Sequence, residues 1–301
     1  LDQAGKVNWE GELERAERLG VSIITQVDSE YPGQLLDIHD PPLALYVKGE
    51  LESRDKHSIA VVGTRRPSNY GRRMAENFSL GLAGAGYTVI SGLALGIDTV
   101  AHKSALKAKG RTLAVLGGPI DQIHPDSNRD LSEEISRNGA VMSELPFGRQ
   151  ADKTTFPMRN RIVSGLSAGV LVVEAGAKSG ALITANQACE QGRDVFVVPG
   201  RIDVAVSQGC HRLIQNGAKL VTNLNDILEE YDFLMSESRK AGSPSSVPAP
   251  KLSSDESMIM EVLRDGPQGV DDLIRLSSMN AAVVNSSLMS LEMKRKIRML
   301  P

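Results

Sequence analysis

This sequence contains few cysteines and few aromatic residues, and its net charge is close to zero. The chain of 301 residues has two cysteines, Cys189 and Cys210, and their spacing fits neither a disulfide framework nor a C-x-x-C zinc site. Aromatic residues make up 4% of the chain, with a single tryptophan. The formal net charge of −3 excludes a uniformly basic nucleic-acid-binding protein. A site for phosphate groups must therefore be a local patch.

These absences favour a cytoplasmic protein. A chain that has few cysteines, with no disulfide spacing between them, is typical of a reducing compartment. No apolar run approaches the roughly 20 residues of a membrane span, and no basic-then-apolar leader follows Leu1, so we expect no membrane association and no signal peptide. The hydrophobic fraction of 41% and the charged fraction of 24% are those of a globular protein.

The sequence divides into four parts. Residues 1–52 are a short mixed segment with one helical pattern and one strand pattern, too short for a core of its own. Residues 53–235 alternate apolar strands with amphipathic helices. Residues 236–254 are rich in Ser, Pro, Ala and Lys, which predicts a flexible linker. Residues 255–301 show three helical patterns and then a basic stretch, which is typical of a winged helix.

The central part predicts an α/β fold with a Rossmann-like, doubly wound, mostly parallel sheet. Its apolar runs are continuous, as expected of strands that helices cover on both faces. The predicted strands are Ile59–Val62, Thr88–Ile90, Leu113–Leu116, Ala140–Ser143, Val170–Val173 and Val195–Val198. Ligands of such sheets bind beyond the carboxyl ends of the strands, so the segments that follow each strand form the candidate site.

Those segments are rich in glycine and basic residues. Glycine lets the backbone approach a ligand closely, and loops that lead into helix N-termini direct N–H groups at anions. The loop over residues 149–161 adds further basic side chains, and Tyr70, Phe147 and Phe156 lie among these charges in the sequence. Basic groups beside aromatic rings suit single-stranded nucleic acid, whose phosphates pair with cations while its bases stack.

Other ligand-binding patterns have little support. The glycines between Gly81 and Gly86 have the order G-x-x-G-x-G and precede a strand, so they do not match a dinucleotide fingerprint. A G-x-x-x-x-G-K-[ST] loop for ATP is absent. Asp98 and His102 share one helix face and could form a metal or acid–base pair, but no third ligand is evident. We therefore predict no metal site and no cofactor.

Two further pairs of residues could carry catalysis. Cys210 and His211 are adjacent and would point in different directions, so a nucleophile pair is disfavoured. Glu144 and Glu174 each follow a strand and could be catalytic carboxylates. The interpretation we prefer is that they cap helix N-termini or orient arginines.

Five short sequence motifs follow one another between residues 30 and 230. They are Val62–Arg65 with Ser68 and Tyr70-Gly71, Ser91–Asp98 with Ala101-His102, Phe156–Ile162, Ser179–Ala185 and Gly192–Val195. Together they resemble the DNA-processing protein A family (DprA, also called Smf). The resemblance implies a non-enzymatic homodimer that binds single-stranded DNA and helps to load the RecA recombinase during natural transformation.

The resemblance also implies domains at both ends of the chain. Residues 1–52 would include the remnant of a sterile-alpha-motif-like domain, and residues 255–301 would be a winged helix that ends without an obvious final strand. By motif, Arg65 is expected to contact phosphate, and the loop from Gly92 to Gly96 is expected to supply backbone N–H groups. His211 departs from the family pattern, which has Asn in a G-x-N motif.

The predicted DNA- and phosphate-binding residues combine the positions after the strands with this resemblance. They are Gly63, Thr64, Arg65, Arg66, Ser91, Gly92, Leu93, Ala94, Gly96, Lys153, Phe156, Arg159, Asn160, Arg161, Lys178, Ser179 and Gly180.

Two alternative functions stay open at this point. A Rossmann-like nucleoside-monophosphate phosphoribohydrolase would carry P-G-G-x-G-T-x-x-E, whereas the corresponding strand end here reads Glu174-Ala175-Gly176-Ala177-Lys178-Ser179-Gly180. A binding module for a small nucleotide would respond to nucleotides and not to oligonucleotides.

Overall fold

The computed structural model describes residues 9–152, 154–231, 253–263, 269–277 and 279–293. The chain forms two compact units, Leu1–Glu237 and Ser238–Pro301. No helix in these described ranges combines the length and the hydrophobicity that spanning a bilayer requires.

A nine-stranded sheet forms the centre of the larger unit. Its strands are β1 (Ser22–Thr25), β2 (Ala44–Gly49), β3 (Ser58–Val62), β4 (Thr88–Ser91), β5 (Thr112–Val115), β6 (Ala140–Ser143), β7 (Gly169–Val172), β8 (Asp194–Val197) and β9 (Lys219–Leu220). Their order across the sheet is β1-β2-β6-β5-β4-β3-β7-β8-β9. Strands β3 to β9 pair in parallel. The predicted doubly wound, mostly parallel sheet is confirmed, and each predicted strand lies within one residue of its observed ends.

Helices connect these strands. They are α1 (Trp9–Leu19), α2 (Gly33–Leu36), α3 (Asn69–Gly84), α4 (Ile97–Lys107), α5 (Arg129–Asn138), α6 (Thr155–Leu166), α7 (Ala181–Glu190), α8 (Gln208–Gln215) and α9, residues 225–231. From β3 the chain continues through β4, β5 and β6 on one side and then returns to place β7 on the other side of β3. The strand order therefore reverses between β3 and β7, and a crevice is expected there.

The apolar strands are buried on both faces. In β3, Ile59 and Val61 pack into one hydrophobic cluster, whereas Ala60 and Val62 pack into the cluster on the opposite face. All five residues of β3 are buried. This alternation explains why the strand is almost wholly apolar, since neither of its faces meets water.

The segment before residue 53 adds two antiparallel strands to this sheet. β1 pairs with β2, and β2 pairs with β6, with Tyr46 opposite Ser143. Leu45 and Val47 of β2 are buried in the same cluster as Ala60 of β3. These strands therefore extend the central sheet and share its core.

The smaller unit consists of α10 (Ser254–Val262), α11 (Val270–Ser277) and α12 (Ala281–Met293). Ile259, Leu273, Val284 and Leu291 form its buried core. These helices match the three helical patterns of the sequence. The predicted basic stretch after α12 lies outside the described residues, as does the predicted linker except for residues 253 and 254.

A buried ion-pair network lies at the amino ends of the strands, opposite the crevice. The Arg111 side chain is 6% exposed, and its Nε and Nη2 donate to the two carboxylate oxygens of Asp55 at 2.6 and 2.8 Å. Its Nη1 also donates to Glu52 at 2.8 Å, and Asp55 accepts the Thr88 hydroxyl. One guanidinium thus holds the turn before β3 against the start of β5.

We expect Arg111→Met to lower the free energy of unfolding by about 3–5 kcal/mol, because it leaves the Asp55 carboxylate buried without its partner. Arg54→Met is the matched control, since the Arg54 side chain is 61% exposed and pairs only at the surface with Glu52. The control should change stability by no more than about 0.5 kcal/mol. Urea unfolding of both variants checks this, and equal effects would contradict it.

Candidate nucleic-acid interface

A cleft of about 820 Å³ lies at the crevice where the strand order reverses. Its wall comes from the segments that follow β3, β4 and β7, together with the first turns of α6 and α7. Eleven of the predicted residues line it, namely Gly63, Thr64, Arg65, Gly92, Ala94, Phe156, Arg159, Asn160, Lys178, Ser179 and Gly180. Segments that are distant in sequence thus meet at one site, which we call the main cleft.

The loop after β3 is fixed by backbone hydrogen bonds to two neighbouring segments. The Thr64 amide donates to the Glu174 carbonyl at 2.7 Å, and the Ile97 amide donates to the Thr64 carbonyl at 3.2 Å. Gly96 has a φ of 85°, and a Cβ there would overlap the Thr64 carbonyl and the Arg65 backbone. Only glycine fits this approach, so the loops after β3 and β4 are held together behind the main cleft.

Arg65 and Phe156 form the exposed cationic and aromatic part of the main cleft. The Arg65 guanidinium lies over the Phe156 ring, 5.6 Å from its centroid. Arg65 is exposed and Phe156 is half-buried. Lys178, which is also exposed, adds a second positive charge to the lining. A guanidinium stacked on an aromatic ring can bind a phosphate through its N–H groups and can support an unpaired base on its flat face.

The buried Arg159 guanidinium supports the loop after β4 from behind. It donates to the Gly92 carbonyl at 2.8 Å and to the Val115 carbonyl by a short hydrogen bond. Burial lowers the pKa of Arg159 to about 10, Asp98 opposes that shift, and Arg65 adds to it. A Cβ on Gly92 would lie 2.5 Å from Arg159 Nη2. Glycine at position 92 is therefore required for the guanidinium to lie against the backbone.

Asp98 and His102 have structural partners. The Asp98 carboxylate accepts the Gly92 and Ala94 amides at 3.2 and 3.3 Å, and burial raises its pKa. The Thr112 hydroxyl donates to the Val89 carbonyl, so the His102 contact with Thr112 Oγ1 at 2.7 Å must be donated by Nδ1–H. From one face of α4, Asp98 therefore binds the loop after β4 and His102 binds strand β5.

The two glutamates that follow strands fulfil the preferred roles. Glu174 is buried and accepts the Ser68 amide at 2.8 Å and the Ser68 hydroxyl at 2.7 Å. Ser68 is the N-cap of α3. Glu144 accepts both terminal nitrogens of Arg161, at 2.8 and 2.6 Å. The first glutamate orients a helix cap and the second orients an arginine.

Five other predicted residues do not line the main cleft. Arg161 is 10% exposed and is paired with Glu144 and Asp40. Leu93 and Ser91 are buried, and the Ser91 hydroxyl donates to the Val61 carbonyl at 2.7 Å. Arg66 is exposed outside the lining, and Gly96 acts behind it. Lys153 lies outside the described residues.

Two aromatic residues expected among the charges lie elsewhere. Phe147 packs edge-on against Tyr46 at 5.1 Å and under Arg15 at 5.3 Å, so it joins the N-terminal segment to the sheet. The Tyr70 hydroxyl donates to the Pro199 carbonyl at 2.8 Å. Both rings lie among basic residues in the sequence, but neither is part of the lining of the main cleft.

Sequence reasoning missed some residues of the lining. Asp152 lines the main cleft and accepts the Thr154 and Thr155 amides at the start of α6, and the hydrogen bonds from Thr154 lower its pKa. Ile183 and Thr184 line it from the first turn of α7. An Asp three residues before a helical Thr is a capping signal that could have placed Asp152.

Two family models and several known proteins match this chain. The family model for DNA recombination-mediator protein A matches residues 22–232, and the model for the DprA winged helix domain matches residues 243–301. The "DNA processing protein DprA" of Streptococcus pneumoniae is 45% identical over 207 residues, which is 69% of this chain and 73% of that protein. "Protein Smf" of Synechocystis is 44% identical over 220 residues, which is 72% of this chain and 55% of that protein. The chain thus spans about half the length of that relative.

Two solved structures are similar to this chain. DNA processing protein A from S. pneumoniae has a TM-score of 0.71 and 41% identity, and the match covers 76% of this chain and 80% of that one. DNA processing protein A from Helicobacter pylori has a TM-score of 0.63 and 29% identity, over 72% of this chain and 96% of that one. The H. pylori structure is described in terms of that protein's single-stranded DNA binding mode.

We expect Gly92→Ala to lower the free energy of unfolding by about 1–3 kcal/mol, because the added methyl group displaces the buried Arg159 guanidinium. Gly180→Ala is the control in the same cleft, since a Cβ there meets no atom within 4 Å. It should be neutral within about 0.5 kcal/mol. Thermal and urea unfolding test the pair, and a Gly92→Ala protein as stable as the wild type would contradict the packing argument.

We expect the His102 imidazole to stay neutral at pH 5, with its proton on Nδ1. Burial lowers its pKa to about 3, whereas an unfolded histidine titrates near 6.5. The unfolded chain therefore binds the extra proton first. The stabilisation from a neutral His102 is complete above pH 6.5 and is lost as the pH falls towards 3. NMR of the imidazole nitrogens measures this, and a midpoint near pH 6 in the folded protein would contradict it.

Proposed function

This chain belongs to the DNA recombination-mediator protein A family, and from that premise we propose that its main cleft binds single-stranded DNA. The observation that carries the proposal is the placement of the Arg65 guanidinium over the Phe156 ring at the mouth of the crevice. The relative from H. pylori, whose solved structure concerns its single-stranded DNA binding mode, supports it.

Arg65 and Lys178 would neutralise backbone phosphates. Both side chains are exposed, and neither is among the ion pairs of the described residues. Their charge is therefore available to a ligand, in contrast with Arg161, which Glu144 and Asp40 already neutralise. These two unpaired positive charges would allow a chain with a net charge of −3 to attract a polyanion.

The Arg65 guanidinium and the Phe156 ring beneath it would together form the surface on which an unpaired base stacks. Both belong to the cleft wall, so a base can reach them only when it is free of a complementary strand. Single strands present such bases without the cost of unpairing a duplex. The proposed preference for single strands therefore follows from the position of the ring.

The wider role proposed for the chain is that of a recombination mediator without an enzymatic step. We propose that it acts as a cytoplasmic homodimer that presents bound single-stranded DNA to the RecA recombinase during natural transformation. Membership of the family supports this role. The structural roles of Asp98, His102, Glu144 and Glu174 described above agree with a binding function, because each carboxylate or imidazole has a partner within the fold.

Fluorescence anisotropy with a labelled oligo-dT and a matched duplex tests the proposal. We expect tighter binding of the single strand. Arg65→Ala should weaken that binding about tenfold or more, as expected for the loss of a charged hydrogen bond. The slope of log affinity against log salt should also fall by about 1 for the lost phosphate contact.

Arg137→Ala is the matched control. Arg137 is an exposed arginine at the end of α5, near the amino ends of the strands and away from the main cleft. Its removal should leave the affinity within about twofold of the wild type, a small change on the scale of salt-dependent binding. The proposal fails if the wild type does not bind at low salt, or if the two arginine variants lose affinity equally.

A further inference from the structure

The lining of the main cleft contains carboxylates as well as cations. Two aspartates belong to it, Asp98 and Asp152. Asp98 is buried, and the loop after β4 donates backbone hydrogen bonds to its carboxylate. Asp152 is exposed and takes part in none of the ion pairs of the described residues. An exposed carboxylate repels phosphates, so within this cleft it is favourable only where it meets a hydrogen-bond donor, which bases carry and phosphate diesters lack.

Hydrogen bonds at the start of α6 fix the orientation of the Asp152 carboxylate. Its Oδ1 accepts the Thr154 amide at 2.7 Å, the Thr155 amide at 3.1 Å and the Thr154 hydroxyl. Its Oδ2 accepts no hydrogen bond from the described residues. One oxygen is thus used within the fold. Because the side chain is exposed and lines the main cleft, the other oxygen is open to a donor from a ligand.

This carboxylate lies close to the surface on which a base would stack. Asp152 caps the first turn of α6, and Phe156 belongs to that turn. The Arg65 guanidinium lies over the Phe156 ring, and all three residues line the main cleft. A base whose flat face rests on the guanidinium therefore has its polar edge in the same cleft as the Asp152 carboxylate.

We infer that Asp152 Oδ2 accepts a hydrogen bond from the edge of the base in the main cleft and thereby selects bases that carry an exocyclic amino group. This inference rests on the proposed binding of single-stranded DNA in that cleft. The exposed cations Arg65 and Lys178 bind phosphates, and the carboxylate recognises the base. The hydrogen bonds from Thr154 lower the pKa of Asp152, so at neutral pH its carboxylate is ionised and can only accept.

Cytosine and uracil separate this recognition from all other contacts. Cytosine carries an N4 amino group, and carboxylates accept hydrogen bonds from it. Uracil has the same ring but carries a carbonyl oxygen at that position. Its N3–H lies between two carbonyl oxygens, which an anionic acceptor repels. Strands of deoxycytidine and deoxyuridine therefore share their backbone and ring and differ at the edge that Asp152 would recognise.

The experiment compares the dissociation constants of oligo-dC and oligo-dU of equal length on the full chain, by fluorescence anisotropy at neutral pH. We expect the wild type to bind oligo-dC about five times more tightly, or more, for one hydrogen bond to a charged acceptor.

Asp152→Asn should reverse this preference, so that oligo-dU binds more tightly than oligo-dC. Asparagine caps helices as well as aspartate does, so the variant should fold. The Thr154 and Thr155 amides require an acceptor, which keeps the new carbonyl oxygen in the place of Oδ1. The NH₂ group then takes the place of Oδ2, where it donates to the uracil O4 and opposes the cytosine amino group.

Two further variants complete the test, and melting temperatures show that each is folded. Asp152→Ser keeps a capping hydroxyl but is too short to reach the base, so its ratio should be about 1. Asp28→Asn is the matched control, because the exposed Asp28 also accepts a threonine amide and hydroxyl, from Thr25, and lies outside the lining of the main cleft. It removes the same charge and should leave the ratio at its wild-type value, with both affinities within about twofold.

The outcomes separate this inference from the proposed function. Binding of both oligonucleotides with a wild-type ratio near 1 overturns base selection and leaves the proposed function intact. A preference for oligo-dC that persists in Asp152→Asn and Asp152→Ser also overturns base selection, even if both strands bind more tightly, because the carboxylate then acts by its charge alone. No binding of either oligonucleotide to the wild type overturns the proposed function itself.

Discussion

The buried guanidinium of Arg159 is the interaction on which the geometry of the main cleft depends. It extends from α6 to the carbonyl groups that end β4 and β5. A charge at this depth is costly, and the nearby Asp98 carboxylate offsets part of that cost. Asp98 in turn holds the amides of Gly92 and Ala94. The loop after β4 is thus fixed from both sides before any ligand arrives, and the exposed Arg65 and Phe156 are arranged around it.

Much of the fold could be predicted from the sequence, because continuous apolar strands that alternate with amphipathic helices are compatible with few architectures other than a parallel sheet covered on both faces. The eleven predicted residues that meet in the main cleft were found mainly by one rule, which is that the carboxyl ends of parallel strands share an edge. That rule gives the edge of the sheet but not the direction of a side chain. Arg159 and Arg161 are two residues apart on one helix, yet one supports the main cleft and the other pairs with Glu144.

The sequence could not show which partners tertiary contacts supply. Phe147 follows a strand and sits next to basic residues in the sequence, but Tyr46 of a distant segment packs against it. The antiparallel extension by β1 and β2 was equally hidden, because a short strand of mixed polarity gives no sign of which edge it joins.

The pairing of β3 with β7 also bears on how the chain is made. Ile59 aligns with Gly169, so the two strands that flank the crevice are separated by more than a hundred residues of intervening chain. Closing so long a loop costs entropy before any contact repays it, and such contacts slow folding. A nascent chain emerging from the ribosome can pair β3 with β4 early, but it has no crevice until β7 has been synthesised. The ability to hold a ligand is therefore gained late, after most of the larger unit has been made.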